Sequence, residues 1–176
     1  MKVLVISDSH KDLSYAGLAI RHTMKEGLDV VIHCGDHIED ARRLERQFPK
    51  LKFYYVPGNC DGWFFKEKDR TKVVEIEDKK VLITHGDHHN IKNNYQELFK
   101  DMKNKKAHIG VCGHTHIAHK EIDKTRGLLA VNPGSISLPR DSVYPSYAVL
   151  RIKRDQETQV KHMIIIEKTP REIPLL

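Results

Sequence analysis

The chain has 176 residues, 39% hydrophobic and 31% charged, with 30 Lys and Arg against 24 Asp and Glu for a net charge of +6. That length buries a core without staples and no apolar run is long enough to span a bilayer, so a single domain over residues 1–176 with no membrane partner is expected. Three cysteines without a CxxC spacing, Cys34, Cys60 and Cys112, point away from a disulfide framework and from a thiolate zinc site. The basic residues are scattered over 50–52, 66–72, 100–106, 120–126 and 151–161, the pattern of a solvated surface rather than of a nucleic-acid groove. The N-terminus enters a strand directly, without a signal-peptide pattern, so a cytoplasmic location is expected.

Residues 2–7 form a β-branched apolar run without alternation, which predicts a strand covered on both faces. The run ends in Asp8 and His10, two metal-type ligands at i and i+2. Open α/β sheets place their sites at such strand ends. Residues 13–26 carry Ala16, Ile20, Thr23 and Met24 at roughly helical spacing, with Gly27 as a stop. A second buried run, 30–33, closes on Cys34-Gly35-Asp36, and residues 39–48 then read as a helix that Pro49 ends. Residues 53–56 read as a third strand, stopped by Pro57-Gly58-Asn59. The βαβα order implies a parallel sheet with right-handed crossovers.

From there the pattern changes. Residues 71–76 and 80–84 read as an antiparallel hairpin. Residues 94–103 place Tyr95, Leu98, Phe99 and Met102 on one stripe of a third helix. Residues 109–112 form another buried strand entering Gly113-His114-Thr115-His116, and 119–124, 128–132, 147–154 and 159–167 read as strands joined by turns. Trp63, Phe64 and Phe65 read as core or as a subunit contact, Cys34 and Cys112 as small buried hydrophobes, and His88 and His89 as exposed. The resulting class is α/β, two packed sheets with helices outside.

Five strand ends deliver Asp8/His10, Asp36, Asn59, His85 and His114/His116, all of them oxygen or imidazole donors. Such a mixed set suits Mn, Fe, Ni, Co or Zn better than Ca or Mg. Seven donors exceed what one ion takes from protein, whereas two ions about 3.5–4 Å apart would use them all. Asp36, with two carboxylate oxygens, is the expected bridge. Asp8, His10 and His116 then complete one position and Asn59, His85 and His114 the other. His114 and His116, at i and i+2, share a side in extended chain.

In order and spacing, Asp8-x-His10, Gly35-Asp36, Gly58-Asn59-Cys60-Asp61, His85 and Gly113-His114-Thr115-His116 resemble the motifs of the calcineurin-like metallophosphoesterases. The Gly-Asn-Cys-Asp variant, with Asn132-Pro133-Gly134-Ser135 and Pro145-Ser146-Tyr147, is similar to the small bacterial and archaeal phosphodiesterases of that family. The resemblance implies a four-layer α/β/β/α sandwich of two packed mixed sheets flanked by helices. It also implies a dinuclear centre often populated by Mn or Ni, phosphoester hydrolysis, and a homodimer or homotetramer.

Hydrolysis would proceed by in-line attack of a metal-bridging hydroxide, with Asp36, Asn59, His85 and His114 carrying catalysis. Much of the family has histidine after the motif asparagine; this chain has Cys60. Leaving-group protonation must then come from Cys60, from His37, His88 or His89, or from water. Where related chains commonly read His-Gly-His, this one reads His85-Gly86-Asp87. Asp87 is either an outer acceptor for a ligand imidazole or a residue without a role, and Asp61 is a further candidate in the same surroundings. Asn132 to Ser135 reads as a tight turn, and Arg140 beyond it as a contact for an anionic substrate. A protein-binding scaffold on the same fold, as in a retromer-type subunit, and a nuclease are the alternatives to a small-phosphoester hydrolase.

Overall fold

The computed structural model describes residues 1–62 and 65–175. In chain order the strands and helices begin with β1 (Lys2–Ile6), α1 (Ser14–Met24), β2 (Val30–His33), α2 (Ile38–Gln47) and β3 (Lys52–Tyr55). They continue with β4 (Thr71–Ile76), β5 (Lys79–Thr84), α3 (Gln96–Asn104) and β6 (Ile109–Val111). Five strands close the chain: β7 (Ala118–Asp123), β8 (Leu128–Pro133), β9 (Ser146–Arg151), β10 (Gln159–Ile166) and β11 (Thr169–Ile173).

The first sheet has the order β11-β10-β9-β1-β2-β3, and the second β4-β5-β6-β8-β7. In the first, β1, β2 and β3 run parallel, joined through α1 and α2, while β9 returns antiparallel beside β1 with Val3 opposite Leu150. In the second, β5, β6 and β8 run parallel and β4 and β7 antiparallel at the edges. Both sheets are therefore mixed.

The apolar run of β1 divides between two layers. Val3 and Val5 join Val30, Ile32, Val81, Ile83, Ile109 and Val111 in the cluster between the sheets. Leu4 and Ile6 face the other way, against Ala16, Ala19 and Ile20 of α1 and Leu44 of α2. On the far side of the second sheet Leu82 and Ala130 receive Leu98, Phe99 and Met102 of α3. A central strand buried on both faces needs no polar alternation, which is why the sequence shows none. The result is the expected α/β/β/α sandwich.

The chain departs from the sequence reading at its end, where β11 pairs with β10 although it contains Pro170 and Glu172. Pro is tolerated there because β11 is an edge strand, with one ladder to satisfy rather than two. Of the aromatic run, Trp63 and Phe64 lie outside the described residues, and Phe65 is half-buried. Cys34 and Cys112 are buried, as expected. No helix among the described residues is long and apolar enough to cross a membrane.

Candidate metal centre

The carboxyl ends of β1, β2 and β3 in one sheet and of β5 and β6 in the other meet across the seam between the sheets. His116 Nε2 lies 3.1 Å from Asp8 Oδ1 and 3.2 Å from His10 Nε2. His10 Nε2 is 3.8 Å from Asp36 Oδ2, and Asp36 Oδ1 is 3.4 Å from His85 Nε2. His85 Nε2 is also 3.0 Å from Asn59 Oδ1 and 4.0 Å from Asp8 Oδ1. His114 joins at ring contact, edge-on to His85 with centroids 5.0 Å apart. Asp8, Asp36, His85 and His116 are buried, whereas His10 and His114 are half-buried and Asn59 is exposed.

The hydrogen-bond chemistry of this cluster calls for a cation. The His85 Nδ1 donates to the Cys34 carbonyl at 2.9 Å and the His116 Nδ1 to the Leu138 carbonyl at 2.6 Å. A carbonyl only accepts, so each ring keeps a hydrogen on Nδ1 and, when neutral, turns the Nε2 lone pair toward the carboxylates. Metal-binding histidines are commonly oriented by such carbonyls. Asp8 Oδ2 receives the His114 N–H at 3.1 Å, but the fully buried Asp8 Oδ1 has no hydrogen-bond partner among the described residues. A buried carboxylate oxygen without a donor, facing imidazole lone pairs, fits a divalent ion. Asp8, His10 and His116 form one group whose ligand atoms all lie within 4.8 Å of one another, and Asp8, Asp36 and His85 another.

The titration behaviour has the same origin. Burial pushes the Asp8 carboxyl up, but the adjoining His116 and His85 outweigh it and hold it below its ordinary value. The Asp8 carboxylate in turn raises His116, because a proton on its Nε2 would lie against Asp8 Oδ1, the position a cation would take. Burial is the main cause that lowers His10 and His114, which keeps both rings neutral and able to donate a lone pair.

The family model of the calcineurin-like phosphoesterase superfamily domain matches residues 1–155. The chain belongs to this superfamily. The Bacillus subtilis probable metallophosphoesterase YsnB is 38% identical over 161 residues, covering 90% of this chain and 88% of that protein. A phosphodiesterase of Methanocaldococcus jannaschii is 30% identical over 148 residues, covering 76% of this chain and 83% of its own. Among solved structures, a predicted phosphoesterase from Streptococcus pneumoniae superposes with a TM-score of 0.74 at 27% identity, covering 98% of this chain and 96% of that one. Vps29 of Entamoeba histolytica, complexed with zinc, superposes with a TM-score of 0.77 at 21% identity, covering 98% and 97%. This calcineurin-like phosphoesterase therefore has the metallophosphoesterase fold and residues able to hold metal.

Several expectations for individual residues need correction. His114 and His116 are not in extended chain; both adopt positive φ, 66° and 60°, in the turn after β6. They converge because the turn folds back, not because a strand alternates. Asp87 takes no hydrogen bond from a ligand imidazole among the described residues. It pairs instead with Arg70 at 3.3 Å and lies 3.3 Å from His88 Nε2. His89 is buried, not exposed, with Thr84 Oγ1 at 3.3 Å and Asp101 Oδ2 at 3.1 Å, because it anchors the loop after β5 to α3. Both of its ring nitrogens are engaged in those contacts. His37 stays at the mouth, its ring 5.5 Å from that of His10. Cys60 is exposed as a residue, but the partial burial of its thiol and the hydrogen bond to Asp36 push the pKa up to about 11.

Other residues act here that spacing did not single out. The Gly35 N–H donates to His33 Nδ1 at 3.2 Å, so His33 carries its hydrogen on Nε2 and donates to Ser9 Oγ at 3.0 Å. Ser9 donates to Asp40 Oδ2 at 2.8 Å, and the Lys11 N–H donates to the same oxygen at 2.7 Å. This buried chain grips the Asp8–His10 turn from behind. Ser135 and Ser137 each donate to the Asp8 carbonyl at 2.8 Å, and Asn132 Nδ2 to the Gly113 carbonyl at 2.7 Å. The Asn132–Ser135 segment is thus a brace joining two donor-bearing turns, more than the connection its composition suggested. Glycine is required at Gly58, where a Cβ would come within 2.1 Å of Asp36 Oδ1, and at Gly113, where it would strike Ser7 Oγ at 1.8 Å.

Proposed function

We propose that this chain is a divalent-metal-dependent phosphodiesterase with a dinuclear centre. Asp8, His10 and His116 would hold one ion, Asn59, His85 and His114 would hold the other, and Asp36 would be shared between them. The observation that carries the reading is the orphaned Asp8 Oδ1, faced by imidazole lone pairs whose other nitrogens are tied to carbonyls. Bound cations of this kind depress the pKa of a coordinated water and offset the charge that gathers on a phosphoryl group. Mn is the expected ion, with Ni, Fe, Co and Zn as alternatives that cellular supply decides between.

The chain's own residues set the rest. His85 and His116 are oriented before substrate arrives, so no reorganisation is needed on binding. Arg140 is exposed at the rim, its N–H donating to the His116 carbonyl at 3.0 Å, and its guanidinium suits an anionic substrate. Asn59 is followed by a thiol whose pKa is about 11, a weak proton donor for a departing alkoxide. Aryl diesters, which leave without a proton, are therefore expected to be cut far faster than alkyl ones. The name of the Methanocaldococcus jannaschii relative supports diesters as the substrate class.

The test is a metal-by-substrate matrix on the purified chain, comparing monoesters, diesters, cyclic nucleotides and oligonucleotides. Asp36→Asn should lower turnover by roughly a hundredfold or more and reduce bound metal with it. Intact metal content and turnover in that variant would refute the reading. The likeness to Vps29 carries the fold alone, and retention of all seven donors favours an enzyme over a scaffold. A nuclease would show DNA affinity falling steeply with salt, which the scattered basic residues do not lead one to expect. A single domain over residues 1–176, a cytoplasmic location and a homodimer or homotetramer belong to the same proposal.

A further inference from the structure

Asp61 makes three hydrogen bonds that join two of the donor-bearing loops. Its Oδ1 accepts the Ile38 N–H at 2.6 Å, and its Oδ2 accepts the His37 N–H at 3.1 Å and the Gly58 N–H at 2.7 Å. Helix α2 begins at Ile38 behind His37, a residue at φ 69° that offers no side-chain cap of its own. The cap comes from a different loop, the 3-10 turn Asn59–Asp61 that carries Asn59. His37 directly follows Asp36. One carboxylate therefore ties the loop bearing Asp36 to the loop bearing Asn59.

The contacts on either side show what the tie controls. The Cys60 N–H donates to Asp36 Oδ1 at 2.9 Å, and that oxygen and Asn59 Oδ1 both face His85 Nε2, at 3.4 and 3.0 Å. Asp8, His10 and His116 are held by other groups: Asp40 behind the first turn, Ser135 and Ser137 on the Asp8 carbonyl, and Leu138 on His116. None of these passes through Asp61. From this asymmetry we propose that Asp61 is a positioning residue for one half of the centre, setting Asn59 against Asp36 and so governing the ion held by Asn59, His85 and His114.

This inference rests on the dinuclear reading, and the experiment separates the two. Titration calorimetry with Mn, together with metal analysis, is done on the wild type, Asp61→Ala, Asp61→Asn and Arg43→Gly. The last is a control that loosens α2 at an exposed position away from the centre. The wild type should take up two ions per chain; one or none would overturn the dinuclear reading itself, whatever the variants do. Asp61→Ala should keep one ion at near wild-type affinity and lose the other by tenfold to a hundredfold. Asp61→Asn, which retains one acceptor oxygen, should fall between. Turnover in both should recover as Mn is raised, with the activation constant shifted more than the plateau. Arg43→Gly should lower the melting temperature and leave both ions in place. Wild-type affinity for both ions in Asp61→Ala, or equal weakening of both in Asp61→Ala and in Arg43→Gly, would overturn the role given to Asp61.

Discussion

Asp8, His10, Asp36, His114 and His116 stand at positive φ, between 44° and 66°. Asp and His enter this region more readily than most residues, yet each still costs about 1–2 kcal/mol against the right-handed alternative. Five such residues in one cluster persist because the hydrogen bonds donated by Ser135 and Ser137 and those accepted by Asp40 and Asp61 over-determine the turns. Strain at these residues brings carboxylates and imidazoles together in one cluster. Behind them His33 is buried and neutral, its pKa lowered to about 4 by burial. An unfolded histidine titrates near 6.5, so the unfolded chain binds this proton first as pH falls. The stability held by neutral His33 should be full above pH 6.5 and should drain away toward pH 4, by on the order of 3 kcal/mol. Urea unfolding at pH 7 and pH 5 of the wild type and His33→Gln checks this, with the smaller pH slope expected in the variant.

At the level of elements, the donors ride on strands whose registers are set by burial. Val30 opposite Val3 and Ile109 opposite Val81 keep each strand exit level with its neighbour, and a one-residue slip would turn the buried set outward. Helix α3 contributes no donor; it seals the outer face of the second sheet with Leu98, Phe99 and Met102. Phe99→Ala should cost about 3–5 kcal/mol of stability and leave metal content per folded chain unchanged, measured by chemical unfolding and metal analysis in parallel. The apolar rhythm of β1, β2, β6 and α3 was legible in the sequence because burial leaves a mark on composition. Strand β11 was not, because an exposed edge strand with Pro170 carries no such mark.

For the whole molecule, the centre lies where two sheets meet, so its donors come together only when both sheets are packed. An ion that binds this arrangement and not the unfolded chain stabilises the fold by mass action, about 2.7 kcal/mol per site at a hundredfold excess over Kd. For a chain of this length that corresponds to a rise of roughly 5–10 °C in melting temperature. Thermal scans with Mn should show the rise, a chelator should reverse it, and Asp36→Asn should shrink it.

The layered fold and the candidate donors at five strand exits were legible in the amino-acid order, because ligand chemistry and buried strands both leave local patterns in short windows. That order could not determine that His89 is buried against α3, that Asp87 answers to Arg70, or that Asp61 caps a helix it does not belong to. Those pairings join residues distant in the chain whose types alone are ordinary surface residues. Only packing the sheets and loops together assigns each its partner, since a hydrogen bond between loops is decided by where the backbone arrives and not by what lies beside it in sequence.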